Sequence, residues 1–262
     1  MTTQSTLTVI QLGTGGYIPT RNRETAAILV RYQQTAILFD AGTGLSRFLE
    51  PEPFTFLSGV RDLHILLSHY HLDHVIGLTW LLKLWRNPVY LYAPTSPLVN
   101  ADYREALARL TEAPLFGLPL SRFPFPVHTV PLERSEDIEI GQLKVRTIAQ
   151  NHGECGSVGF RIGDAFAYVT DVDAGTQQVE FLRGVKLALL DAMYDDSDYK
   201  ALASPDHGSS RTVAQVAAQA NVSQLGLIHI NPSYDPSRCA LLLEQAREVF
   251  PSACIPDDGS IL

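Results

Sequence analysis

The sequence predicts an α/β protein in which two sheets face each other with helices outside, in a single domain over residues 1–262. Three observations point there. Short apolar runs of strand length fill both halves of the chain, helix-patterned segments are interspersed among them, and the runs stop repeatedly at a polar His or Asp. A chain of 262 residues is long enough to bury a sizeable core, and 45% hydrophobic against 18% charged residues is a globular balance.

Taken in order, Leu7 to Leu12 is a mostly apolar run ending at Gly13-Thr14-Gly15-Gly16, a strand entering a tight turn. Ala26 to Tyr32 and Thr35 to Asp40 are strands, and the polar Gln33-Gln34 pair between them predicts a hairpin. Leu63 to Ser68 is an apolar strand, interrupted by His64, that runs straight into His69. Val75 to Trp85 has the helical pattern, Val89 to Tyr92 returns as a strand, and Pro97 to Leu110 reads as a helix. From Glu112 to Pro131 the prolines 114, 119, 124, 126 and 131 lie among Phe116, Phe123 and Phe125, too many for a helix or a central strand. This stretch is expected to be an extended loop, whether packed over a site, leading back to the sheet or merely connecting. Strands follow at Lys144 to Ala149, Ser157 to Ile162, Phe166 to Thr170, Lys186 to Leu190 and Leu225 to Ile230, with helices at Arg211 to Ala220 and Pro236 to Phe250.

Composition narrows the function. The net charge is −8 and no segment concentrates Lys and Arg, which argues against a large polyanionic substrate, because phosphate contacts supply much of nucleic-acid affinity. A small phosphate ester is not excluded, since bound cations would dominate the local field. Cys155, Cys239 and Cys254 are scattered and odd in number, which suits a reduced cytosol rather than a disulfide framework or thiolate zinc site. Cys155, near His152, reads as a small loop residue. No apolar run reaches the roughly 18 residues of a membrane span. Met1-Thr2-Thr3-Gln4 lacks a basic stretch followed by an apolar one, so no signal peptide is expected and the predicted location is cytoplasmic.

The chemistry concentrates in Ser68-His69-Tyr70-His71-Leu72-Asp73-His74, three imidazoles and a carboxylate directly after a strand. Imidazole and carboxylate are the usual ligands of zinc and similar divalent ions. A loop turns alternate residues toward one point, so His69 and His71 can serve one ion while Asp73 and His74 serve another. His152 follows the strand ending near Ala149, Asp171 ends the strand Phe166 to Thr170, and His229 sits in the run Leu225 to Ile230. Each alone would read as a hydrogen-bonded core residue; their order behind the first motif makes them candidate ligands.

That order, HxHxDH, then a lone His, then the Asp of Tyr168-Val169-Thr170-Asp171, then a His near the C-terminus, resembles the metallo-β-lactamase superfamily. Leu12-Gly13-Thr14-Gly15-Gly16 with Pro19-Thr20, and Leu38-Phe39-Asp40-Ala41-Gly42-Thr43-Gly44, look like the family's first strand turn and its DxGxG turn, so the likeness covers nearly the whole chain. The resemblance implies a four-layered αββα sandwich. It puts His69, His71 and His152 on one metal, Asp73, His74 and His229 on a second, and Asp171 across both. Two divalent ions are implied, zinc first and manganese or iron as alternatives, with a shared hydroxide as nucleophile. Asp40 is expected in a turn or supporting a ligand through a hydrogen bond.

Departures choose the branch. Diiron-flavin relatives carry an acidic residue where His71 stands, and family β-lactamases lack a bridging aspartate at Asp171. Leu190-Asp191-Ala192-Met193-Tyr194, Asp206-His207-Gly208-Ser209-Ser210 and Leu227-Ile228-His229-Ile230-Asn231-Pro232 are similar to the phosphodiesterase branch that holds ribonuclease Z. There, His207 paired with Asp191 would give a proton or hydrogen bonds to the phosphate and the leaving oxygen, making Asp73, His207 and Asp191 the expected catalytic groups. Two features depart from the branch: it usually has Glu at the Asp191 position, and Asp206-His207-Gly208 replaces its Gly-His order. The bland reading of His207 is a turn residue at a helix entry beside a Ser209/Ser210 cap. The long Gly-rich, basic arm of ribonuclease Z is missing. The expectation is therefore a small-molecule phosphodiester substrate, no membrane, no transfer RNA, and a homodimer left open. A thioesterase, lactonase or sulfatase, or a cofactor-synthesis accessory protein of the same fold, are the rivals.

Overall fold

The computed structural model describes residues 7–202 and 206–262; the terminal Met1-Thr2-Thr3-Gln4 lies outside them. They fall into two compact units, one of residues 7–14, 21–133 and 257–262, the other of residues 15–20, 134–202 and 206–256.

The first unit holds a six-stranded sheet in the order β1 (Thr8–Gly13), β2 (Ala27–Tyr32), β3 (Thr35–Phe39), β4 (Leu63–Leu66), β5 (Val89–Pro94) and β6 (Val127–Leu132). β1 to β3 pair antiparallel, including the expected hairpin, and β3 to β6 run parallel. β6 takes in Val127 to Pro131, the end of the stretch expected to be an extended loop; as the last strand of the sheet it has no further neighbour needing the N–H that Pro131 lacks. Four helices accompany the sheet: α1 (Pro51–Phe56), α2 (Leu72–Val75), α3 (Leu81–Leu84) and α4 (Tyr103–Thr111). The continuous helix expected over Val75 to Trp85 is instead α2, a 3-10 stretch Ile76–Trp80, and α3. The Gly77 N–H donates to the Ala41 carbonyl at 2.7 Å, and a Cβ at Gly77 would fall 2.5 Å from the Gly42 carbonyl, so a neighbouring loop diverts the helix. The expected Pro97 helix begins only at Tyr103, because the Asp102 carboxylate caps the N–H groups of Arg104 and Glu105. Leu38, Ile65 and Leu91 from the sheet pack with Leu45, Leu78, Leu81 and Leu107, each fully buried side chain contributing about 1.5–3 kcal/mol.

The second unit holds β7 (Asp137–Ile140), β8 (Leu143–Gln150), β9 (Ser157–Ile162), β10 (Phe166–Val169), β11 (Leu187–Asp191) and β12 (Gln224–Ile228), ordered β12-β11-β10-β9-β8-β7. β10, β11 and β12 are parallel and the remaining pairs antiparallel. α5 (Thr176–Leu182), α6 (Asp196–Ala201), α7 (Ser210–Gln219) and α8 (Pro236–Arg247) complete it, with Leu182, Val213, Ala217 and Leu242 packed against Val169, Leu190 and Leu227. Two mixed sheets with helices on each make the α/β class that the sequence predicts. Among the described residues no helix is long and apolar enough to cross a membrane.

Candidate metal centre

Most of the candidate residues leave the carboxyl ends of parallel strands, the place where loops gather in such sheets, while His152 follows β8, which pairs antiparallel, and His207 precedes α7. In the first unit Asp40 follows β3 and Ser68-His69 follow β4. Asp40 adopts the left-handed φ of 57°, which Asp tolerates, and this turns its carboxylate toward the neighbouring loop. Oδ1 accepts the Ser68 N–H at 2.6 Å, and Oδ2 accepts the Ser68 hydroxyl at 2.7 Å and lies 2.8 Å from His74 Nδ1. A buried carboxylate at Nδ1 fixes the imidazole so that Nε2 faces outward as a ligand. Asp73 Oδ2 stands 3.3 Å from that Nε2. The His69 ring lies 4.5 Å from His71 and 4.4 Å from His74. The motif's backbone is tied down from below: the Thr25 hydroxyl donates to the Asp73 carbonyl at 2.7 Å, Ala41 N–H donates to the His74 carbonyl at 2.7 Å, and a Cβ at Gly42 would collide with the Asp73 carbonyl. The structure thus brings His69, His71, Asp73 and His74 together, with Asp40 hydrogen-bonded behind them.

In the second unit the strand register does the assembling. Asp191 ends β11 opposite Ile228, and Val169 pairs with Leu190, so Asp171 and His229 emerge at one level on either side of β11. Both then turn with left-handed φ values, 53° and 57°. His229 follows β12 rather than lying inside a strand, as the apolar run had implied. Asp171 Oδ1 is 3.4 Å from His229 Nε2 and Oδ2 is 3.4 Å from His152 Nε2, so one carboxylate faces two imidazoles. Thr170 donates its hydroxyl to Asp171 Oδ1 at 2.6 Å. His152 Nδ1 lies 3.2 Å from the Asp206 carbonyl. Asp191 is fully buried and accepts the Asp171 N–H at 2.9 Å and the Met193 N–H at 3.1 Å, while His207 Nδ1 lies 2.6 Å from its Oδ2. The His207 ring stacks on His229 at 5.0 Å and 14° and meets His152 edge-on at 5.0 Å. Asp171, Asp191, His207 and His229 offer ligand atoms all within 4.8 Å of one another, a donor set suited to a divalent cation.

Ser209 caps α7 by accepting the Thr212 N–H at 3.1 Å, so the helix-entry reading of that segment holds alongside the His207–Asp191 contact. The surroundings are acidic. Burial pushes the Tyr194 phenol up, with the charges of Asp191, Asp206 and Asp198 adding to it. Burial likewise raises Asp173, against a hydrogen bond from Tyr199, and Asp191 adds to the rise. In the sequence Gly16 reads as part of a strand turn and Thr170 as a strand end, with no part in the site. A Cβ at Gly16 would fall 2.6 Å from the His229 ring, so its backbone lies directly on that imidazole; the Gly15-Gly16 pair was the available signal for such a close approach.

A family model described as a beta-lactamase superfamily domain matches residues 35–230. The chain belongs to the metallo-β-lactamase superfamily. As a superfamily member it is a hydrolase, and its His/Asp clusters are those of a divalent-metal enzyme. Ribonuclease Z of Methanopyrus kandleri is 27% identical, over 95% of this chain and 94% of that protein. Among solved structures, the metallo-β-lactamase fold protein YhfI from Bacillus subtilis superposes with a TM-score of 0.76 at 19% identity, covering 99% of both chains. The short form of human tRNase Z gives 0.70 at 20% identity, covering 97% of this chain and 98% of that one. These likenesses overturn the expectation that excluded transfer RNA. That expectation rested on whole-chain charge and one missing arm, and net charge sums over the molecule without saying what any one face presents.

Proposed function

We propose that this superfamily member is a metal-dependent phosphodiesterase and that the two units work as one cytoplasmic domain over residues 1–262. The observation that carries this reading is the 2.6 Å contact between His207 Nδ1 and the buried Asp191 carboxylate, beside the ligand cluster. His69, His71 and His152 would hold one ion and Asp73, His74 and His229 the other, with Asp171 shared, and zinc suits this imidazole–carboxylate set. Bound divalent ions supply Lewis acidity and an activated water. The protein's own part is positional and protonic. Asp191 engages Nδ1, which orients His207 so that Nε2 is the atom presented to substrate. From there the imidazolium gives a proton to the departing ester oxygen, and Asp191 stabilises its charged form.

A small phosphodiester is the substrate class this arrangement was read for. The full-length similarity to a ribonuclease Z favours a second reading, in which the same groups cut an RNA phosphodiester. His207→Ala tests both. The variant is expected to retain its metal and to lose roughly 10²–10⁴-fold in rate on an alkyl phosphodiester, whose alkoxide leaves poorly. The loss on a nitrophenyl ester, which needs less help, should be clearly smaller. Equal losses would make His207 a binding group, lost metal would make it a ligand, and no loss would shift the reading to a thioesterase or lactonase. Precursor transfer RNA assayed beside the small esters decides between the two substrates.

A further inference from the structure

The loop Gly15–Thr20 carries a left-handed tyrosine beside the second unit's cluster. Ile18 N–H donates to the Gly16 carbonyl at 2.8 Å, closing a three-residue turn with Tyr17 at its apex, and Tyr17 has a φ of 66°. Left-handed φ at such an apex is strained for any L-residue and rare for a bulky aromatic. Burial does not offset that strain, because Tyr17 is 75% exposed, and its neighbour Ile18 is 53% exposed. Strained residues of this kind collect at functional sites: of the other non-glycine residues with left-handed backbone among those described, Asp40, Asp171 and His229 belong to the candidate site, while Gln33 and Asn221 lie in turns between elements. The position is also specific. Gly16, one residue before the apex, rests on the His229 imidazole, Gly16 N–H donates to the Ile230 carbonyl at 3.1 Å, and His229 stacks on His207. The turn therefore sets an exposed tyrosine one residue from the glycine that rests on His229, a member of the Asp171–Asp191–His207–His229 cluster.

We propose that Tyr17 is a substrate-specificity residue whose ring stacks on a nucleobase attached to the scissile phosphate, with Ile18 as an apolar flank. This rests on the phosphodiesterase reading and narrows it to nucleotide esters. A base is flat and apolar on both faces, and an exposed, backbone-fixed ring beside a phosphate site is the partner it stacks on.

The test uses the metal-loaded protein and binding rather than turnover. Adenosine monophosphate and ribose phosphate, titrated by calorimetry, differ by the base. Wild-type protein is expected to bind the first more tightly, and Tyr17→Gly to weaken it about tenfold while leaving ribose phosphate unchanged. Glycine is chosen because it accepts the left-handed apex, so a retained or raised Tm shows the loop intact. Tyr17→Phe should keep the preference, since the ring and not the hydroxyl does the stacking. A short oligoadenylate, bound more tightly than the mononucleotide and weakened by the same substitution, would identify RNA rather than a free nucleotide as the source of the base. Equal binding of the two monophosphates, or a Tyr17→Gly protein that binds both as wild type does, overturns the inference alone. Wild-type protein that binds neither overturns the phosphodiesterase reading and this inference with it.

Discussion

The two units position their candidate ligands by different means. In the first, His69, His71, Asp73 and His74 come from six consecutive positions, held as one rigid piece by Asp40, Ser68 and the glycine turn at Gly42. In the second, His152, Asp171, Asp191, His207 and His229 come from four loops and the end of β11, with Asp171, Asp191 and His229 brought together by the register of β10, β11 and β12 and by two left-handed turns. A contiguous motif fails locally, through the loop that presents it. A dispersed one depends on each strand end and on the single carboxylate, Asp171, that faces both His152 and His229.

The largest expected effect follows from that difference. Asp171→Asn keeps the shape and tolerates the left-handed backbone but removes the charge, so elemental analysis should show metal falling from about two equivalents to well below one, with turnover lost. Asp40→Asn acts on the contiguous side through one histidine. It should lower metal affinity by about 10–100-fold while the rate at saturating metal is preserved. Full metal content in Asp171→Asn would refute the sharing of its carboxylate, and an Asp40→Asn protein with full metal but no turnover would give Asp40 a direct part in the reaction.

This contrast also explains what was legible beforehand. Strands and the HxHxDH loop were readable because apolar period and ligand chemistry lie along consecutive residues. The likeness supplied the order of His152, Asp171 and His229, and the structure supplies their register. Among the features that could not be read are the break at Gly77, the start of α4 at Asp102, and the contact of Gly16 with His229. Each depends on a neighbour distant in sequence or on a cap competing with a helical pattern, which periodicity does not register. β7, with only Ile138 and Ile140 buried among exposed Asp137 and Glu139, was too short to stand out.

The glycines sharpen the comparison at a smaller scale. Gly42→Ala would drive a Cβ into the Asp73 carbonyl, which the Thr25 hydroxyl also holds. Backbone cannot yield easily, so a loss of about 1–3 kcal/mol or more in stability is expected, read as a lowered Tm. At Gly16 the obstacle is the His229 side chain, which can rotate away. Gly16→Ala should therefore cost less in Tm and proportionally more in activity. The reverse ranking would mean that the first unit's loop is the softer of the two.

The smallest effect concerns acid stability and belongs to the second unit. Asp195 is 1% exposed, and burial alone would raise its carboxyl. Hydrogen bonds from Arg238 at 2.7 Å, from the Asp198 N–H at 2.9 Å and from the Ser197 hydroxyl at 2.7 Å outweigh that and hold it at about 2. The folded value lies below the ordinary one of about 3.9, so the stabilisation is present above that pH and is lost as pH falls from about 4 toward 2. Arg238 is 37% exposed and solvent screens it, which reduces the contribution to about 1–2 kcal/mol. Asp195→Asn should lower Tm at neutral pH and flatten its fall between pH 4 and 2. Because α6 leads from Asp195 toward His207, the same variant distinguishes a fold effect from a site effect. Unchanged activity at temperatures below the lowered Tm would confine Asp195 to holding α6 against α8, whereas a rate loss there would show that the orientation of His207 depends on this ion pair.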